Sequence, residues 1–102
     1  MTAEVSTSAS VRGIVPPMAT PLAGRDELDI TGLEKLIEHI LGGGIQGLFL
    51  LGTTGEGPAL SYPLRRELVR RSCSQVAGRV PVLVAVTDSA FAEMTRMAEC
   101  AA

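Results

Sequence analysis

Aromatic residues are nearly missing from this chain, which holds no tryptophan, one tyrosine and two phenylalanines. A surface that binds nucleic acid by stacking interleaves such rings with cations, and nothing of that kind stands here. Cysteine is equally scarce. Cys73 and Cys100 have neither the dense pairing of a secreted mini-domain nor the close spacing of a zinc site, so both are expected as reduced thiols in helices, in a reducing compartment. The single histidine, His39, has no second ligand at metal spacing and reads as a solvent-facing helix residue. No sign of charge dominates either: eleven acidic side chains against nine basic ones give a net charge of -2, with no broad footprint for nucleic acid or an acidic membrane. The apolar runs at 47–51 and 80–86 are far shorter than the about 20 residues a helix needs to span a bilayer. The first residues, 1–12, lack the basic start and apolar stretch of a secretory signal and read as a loose tail. The protein is expected in the cytosol, with a small molecule or another protein as its partner.

What the chain does hold is apolar: 46% of its residues are hydrophobic and 20% charged, as in a soluble globular domain, here over 13–102. Residues 13–18 form a short apolar segment in which Pro16 and Pro17 lack the N–H of a central strand, so this strand is expected to be short or irregular. Asp29 then stands before Ile30, Leu33, Leu36, Ile37, Ile40 and Leu41, a spacing of threes and fours that predicts a capped helix, closed by Gly42, Gly43 and Gly44. The continuously apolar run 47–51 predicts a strand covered on both faces in a parallel sheet. Ser61 is the expected cap of a second helix that buries Leu64, Leu68, Val69 and Val76, turns Arg65, Arg66, Arg70 and Arg71 outward, and stops at Gly78. Residues 80–86 predict a third strand, and Asp88 or Ser89 the cap of a third helix running from about Ala90 to the chain's end. Strands alternating with helices mean an α/β fold, a parallel βαβαβα array.

Ligand sites in such folds lie at the carboxyl ends of the strands. That is the position of Gly52-Thr53-Thr54-Gly55-Glu56-Gly57. Its glycines permit a sharp turn and close approach of the backbone, while Thr53 and Thr54 add hydroxyl donors to exposed N–H groups, a combination that suits an anion such as a carboxylate. The same composition also fits a turn in which glycine is only sterically required. Glu56 is read as a structural acceptor in the loop rather than a base, Asp88 as a helix cap, Tyr62 as a first-turn surface residue, and Met18, Met94 and Met97 as core fillers. Thr20-Pro21 falls on the same rim, as a site element or an ordinary turn. The loop lacks the Lys-Ser/Thr ending of a Walker loop and the spacing of a dinucleotide fingerprint.

The order Gly13-Ile14, Thr20-Pro21, a helix, Gly44, Gly47 and then Gly52-Thr53-Thr54-Gly55-Glu56, followed by Leu60-Ser61 and the strand 82–86, resembles the dihydrodipicolinate synthase and N-acetylneuraminate lyase family. The resemblance implies the first three units of a (β/α)8 TIM barrel and a pyruvate-dependent class I aldolase, a lyase that works through a Schiff base without a cofactor or metal. It implies pyruvate or another 2-oxo acid and an aldehyde as substrates, and a homo-oligomer in the full-length form. By matching position Thr53 and Thr54 are similar to the pair that binds the pyruvate carboxylate, with Thr54 in a hydroxyl relay, Gly52 and Gly55 shaping the loop, and Thr20 in the first rim motif. Pro17 departs from the pattern, where small residues are commoner. The family's catalytic tyrosine and lysine would fall beyond Ala102. Lys35 is the only lysine, and it belongs to the first helix rather than to a strand's end. Other readings are a non-catalytic remnant that associates with full-length homologues through open sheet edges, and a small doubly wound module holding an anion.

Overall fold

The computed structural model describes residues 11–102, so most of the expected tail, 1–12, lies outside the described residues. The chain runs β1 (Leu22–Gly24), β2 (Glu27–Leu28), α1 (Ile30–Leu41), β3 (Leu48–Leu50), a 3-10 turn (Gly57–Ala59), α2 (Tyr62–Val76), β4 (Val82–Val84) and α3 (Phe91–Ala101).

Asp29 starts α1 by accepting a hydrogen bond from the Gly32 amide at 3.0 Å, which satisfies one of the donors that every helix leaves free at its beginning. The glycine run ends the helix as expected, but the left-handed residue is Gly44, at φ 76°, while Gly42 stays right-handed. Ser61 starts α2 in the same way as Asp29 starts α1, accepting from the Leu64 amide at 3.3 Å. The end of α2 is left-handed over two residues, Ala77 at φ 51° and Gly78 at φ 77°, one residue sooner than the glycine alone predicts.

β3 and β4 are parallel, with Leu48 beside Val82 and Leu50 beside Val84. Both are shorter than the apolar runs that predict them. The segment before β1 lies along the other side of β3, where the Phe49 amide donates to Pro16 O at 3.1 Å and the Met18 amide to Phe49 O at 2.9 Å. Pro17 sits at a single parallel bridge to Phe49, so its missing N–H falls on the outer edge, where it costs no ladder bond. Pro16 faces β3 and can offer only its carbonyl. The expected irregular first strand thus reduces to one bridge for a chemical reason. A hairpin that the sequence reading did not foresee, β1 with β2, leads into α1, and Ser61 Oγ donates to its Asp26 at 2.6 Å.

Leu48 and Leu50 point to the same face of β3 because alternate strand residues share a face. Both are buried against Leu33 and Ile37 of α1, Leu64, Leu68, Val69 and Val76 of α2, and Met97 of α3. All three helices therefore cover one face of the sheet. The face of Phe49 and Leu83 is only partly covered, in contrast to the strand covered on both sides that the apolar run predicts.

Outside the core, Arg79 grips Glu38 through two hydrogen bonds, at 3.1 and 2.8 Å, and joins α1 to the turn after α2. Hydrogen bonds from Arg79 and then Gln75 hold the Glu38 carboxyl down from its ordinary 4.5 to about 2. A depressed carboxyl pKa contributes stability that is complete above the unfolded value and is lost as pH falls through the folded one. The parent chain is therefore expected to lose more urea resistance than Glu38→Gln between pH 5 and pH 2, followed by circular dichroism. The difference should be small and should shrink with salt, because both side chains are half exposed. Parallel acid profiles for the two proteins would contradict it.

Candidate active site loop

The chain leaves β3 through Leu51, whose φ of 63° is left-handed although its side chain is buried. For a residue with a Cβ this conformation costs about 1–2 kcal/mol. It turns the backbone sharply into Gly52-Thr53-Thr54-Gly55-Glu56-Gly57. The loop then closes on itself, with the Glu56 amide donating to Thr53 O at 3.0 Å and the Gly57 amide to Gly52 O at 3.2 Å. Two glycines are required by close approach. A Cβ on Gly57 would overlap the Leu51 carbonyl oxygen, and one on Gly55 would stand 2.9 Å from Met18 O.

This folding hides Gly52, Gly55 and Gly57 and leaves Thr53, Thr54 and Glu56 exposed at the crest. The N–H groups of Thr53, Thr54 and Gly55 donate to no acceptor among the described residues. Amides without an acceptor among the described residues, beside two hydroxyls, have the donor chemistry that an anion calls for. Thr20 lies behind the loop, 7% exposed, and its hydroxyl donates to Gly55 O at 2.6 Å across 35 residues of sequence. Thr20 and the loop are thus on one rim, at the carboxyl ends of the first segment and β3. Glu56 is left-handed at φ 57°, and among the described residues no donor reaches its carboxylate, so its ties to the loop run through its backbone.

Arg65 contradicts the outward arginine face read from the helical spacing. It is 6% exposed and folds back over the start of α2, its Nε donating to Leu60 O at 2.9 Å and its Nη2 to Pro58 O at 3.0 Å. Its Nη1 lies 3.5 Å from Asp88 Oδ2, and its guanidinium rests 5.0 Å from the centre of the Tyr62 ring. Neither Asp88 nor Ser89 caps α3, whose N-cap is Ala90 without a side-chain cap bond. Asp88 instead accepts from the Ala90 amide at 2.8 Å, closing a turn just ahead of the helix, and it also meets this buried cation. The Ala90 amide, then Tyr62, hold the Asp88 carboxyl below its ordinary range, while hydrogen bonding to Asp88 and burial push the Tyr62 hydroxyl upward. Tyr62 is accordingly half-buried rather than a plain surface residue. Pro58, Tyr62, Arg65, Thr87, Asp88 and Ser89 enclose a hollow of about 350 Å³ beside the threonine loop.

Lys35 stands elsewhere. It is exposed on α1 and lines a surface hollow with Glu34, Glu38, His39 and Gln75, none of which belongs to the rim. Cys73 and Cys100 are free thiols on α2 and α3, as expected, and burial pushes the Cys73 thiol up. No helix among the described residues is long and apolar enough to cross a membrane.

A parallel α/β sheet covered by helices on one face, with a Gly-Thr-Thr-Gly-Glu loop at the carboxyl end of a strand, defines a class of α/β protein whose exposed loop lies on the rim where such folds place their ligand sites. Within that class the chain belongs to the dihydrodipicolinate synthetase family, which it matches over residues 10–102. It is 46% identical over 74 residues to 4-hydroxy-tetrahydrodipicolinate synthase of Xanthomonas axonopodis pv. citri, covering 72% of this chain and 24% of that one. The solved dihydrodipicolinate synthase of Bacteroides thetaiotaomicron superposes with a TM-score of 0.88 at 46% identity, over 91% of this chain and 31% of the other. A prophage protein of E. coli in the same family, solved in complex with pyruvate, superposes with a TM-score of 0.83 at 32% identity, over 87% of this chain and 30% of that one. The chain therefore spans about a quarter to a third of the length of these relatives.

Proposed function

We propose that residues 13–102 are the first three strand–helix units of a (β/α)8 barrel, and that they carry the carboxylate-binding loop of a pyruvate-dependent class I aldolase-type lyase of the cytosol. In this reading pyruvate, or another 2-oxo acid, places its carboxylate on the amides and hydroxyls of Thr53 and Thr54. Gly52 and Gly55 give the loop its turn, and Thr20 braces it from behind through Gly55 O. The Thr54 hydroxyl also serves a proton relay, and an aldehyde is the second substrate. An amine supplied from outside this segment condenses with the 2-oxo group, water leaving as the Schiff base forms, and the full-length form is a homo-oligomer. The observation that carries the reading is the exposed Thr53–Thr54 crest, with unspent amides, tied to Thr20 at the strand ends.

Two further observations support it. Helices on one face favour a barrel segment over a doubly wound module, which carries helices on both faces. The E. coli relative was solved with pyruvate. The test is to graft residues 13–102 in place of the matching segment of the Bacteroides enzyme and to compare Thr54 with Thr54→Val, which keeps the shape and removes the hydroxyl. A loss of roughly 10²-fold in kcat/KM for pyruvate is expected, the usual scale for one preorganised donor, with an unchanged circular dichroism spectrum. Unchanged turnover at limiting pyruvate would remove Thr54 from the site.

A further inference from the structure

We propose that Arg65, with Asp88, is a positioning residue that clasps the threonine loop to the loop after β4 and so fixes where Thr53 and Thr54 stand on the rim. A buried cation is costly unless its donors are spent, and this guanidinium spends them on two carbonyls five and seven residues before it and on a carboxylate 23 residues after it. Its two hydrogen bonds reach Pro58 O, inside the turn that closes the threonine loop, and Leu60 O, the residue just after that turn. Its third contact is Asp88, whose own side chain is 9% exposed and held in place by the Ala90 amide. Tyr62 of α2 lies under the guanidinium. The loop is also tied by Thr20, whose hydroxyl donates to Gly55 O. The loop that carries the exposed pair Thr53–Thr54 is thus held by two ties, one from the first segment and one from α2 and the β4 loop. If Arg65 let go, the turn would keep its backbone bonds, Gly57 to Gly52 O, Ala59 to Glu56 O and Leu60 to Gly57 O, but lose both side-chain bonds to Pro58 O and Leu60 O. A lysine would keep the charge toward Asp88 but could not fork to both carbonyls.

The inference rests on the reading of Thr53 and Thr54 as a carboxylate site, and its test separates the two. Amide hydrogen exchange by mass spectrometry is measured on the 102-residue chain, Arg65→Lys and Asp88→Asn, with and without pyruvate. In both variants exchange across 52–60 should rise roughly tenfold or more, the scale for losing hydrogen bonds to a charged group, while α1 keeps its parent rates. Pyruvate should slow exchange at 52–57 in the parent chain and do so less in the variants. Unchanged rates at 52–60 in both variants would overturn the clasp, and so would a rise spread evenly over α1 as well, which would mean general support of the core. If Arg65→Lys does not fold, Asp88→Asn decides the matter alone, since it alters a loop side chain and leaves Arg65 in place. Full pyruvate protection in variants with a loosened loop would overturn the positioning role. If pyruvate protects nothing in the parent chain while the variants still loosen, the carboxylate reading fails and the clasp survives only as a structural tie.

Discussion

Leu68→Ala is expected to remove roughly 2–5 kcal/mol of stability, the usual cost of truncating a buried leucine where the surroundings cannot collapse into the gap. Leu68 is completely buried at the centre of α2, in the cluster that joins all three helices to Leu48 and Leu50. A domain of this size has about 5–15 kcal/mol in total, so the variant should lie close to its unfolding threshold. Its urea midpoint, followed by circular dichroism, should fall far below that of the parent. Arg70→Ala, which alters an exposed position on the same helix, should change it little. Equal effects from the two substitutions would mean that α2 does not pack as described.

The second large effect is expected at Gly57. The overlap of a new Cβ with the Leu51 carbonyl oxygen involves backbone on both sides, so no side-chain rotation can relieve it. Gly57→Ala must either lift the 3-10 turn or swing Leu51 out of its left-handed conformation. Overpacking of this kind typically costs about 1–3 kcal/mol, and here it falls on the loop that holds Thr53 and Thr54. Amide exchange in 51–60 should rise sharply while α1 stays protected. Gly44→Ala is an informative contrast, because nothing lies within 4 Å of its Cβ position and only its φ of 76° opposes the change. A Gly57→Ala protein with parental exchange in the loop would show that the loop is not packed under Leu51.

The elements that local chemistry dictates were legible in the sequence. Asp29 and Ser61 cap the helices that the apolar spacing predicts, and the two prolines before Met18 reduce the first strand to a bridge. The Gly52 to Gly57 loop was legible for the same reason, since its residue types and its place after an apolar run both point to the rim. What periodicity cannot register is a long side chain that leaves its own helix. Arg65 belongs to the polar set with Arg66 and Arg70 by residue type, yet it turns back to carbonyls that precede the helix and to Asp88, 23 positions on. No local signal marks that pairing. The β1–β2 hairpin escaped because strands of three and two residues carry no alternation to detect. The left-handed Leu51 and Ala77 escaped because such positions ordinarily call for glycine.

The central claim is that these residues supply the carboxylate end of a Schiff-base site and not its amine. The direct measurement is to incubate the purified 102-residue chain with pyruvate and sodium borohydride and to weigh it intact. An amine that attacks the 2-oxo carbon loses water to give an imine, and hydride from borohydride then fixes it as a stable secondary amine of greater mass. Lys35 is exposed on α1 among Glu34, Glu38 and His39, away from the Thr53–Thr54 rim. Catalytic lysines of this kind are instead desolvated or set beside another cation. The account predicts that Lys35 remains unmodified. A stoichiometric reduced adduct on Lys35 that disappears in Lys35→Arg would contradict it and would show that the segment carries its own nucleophile.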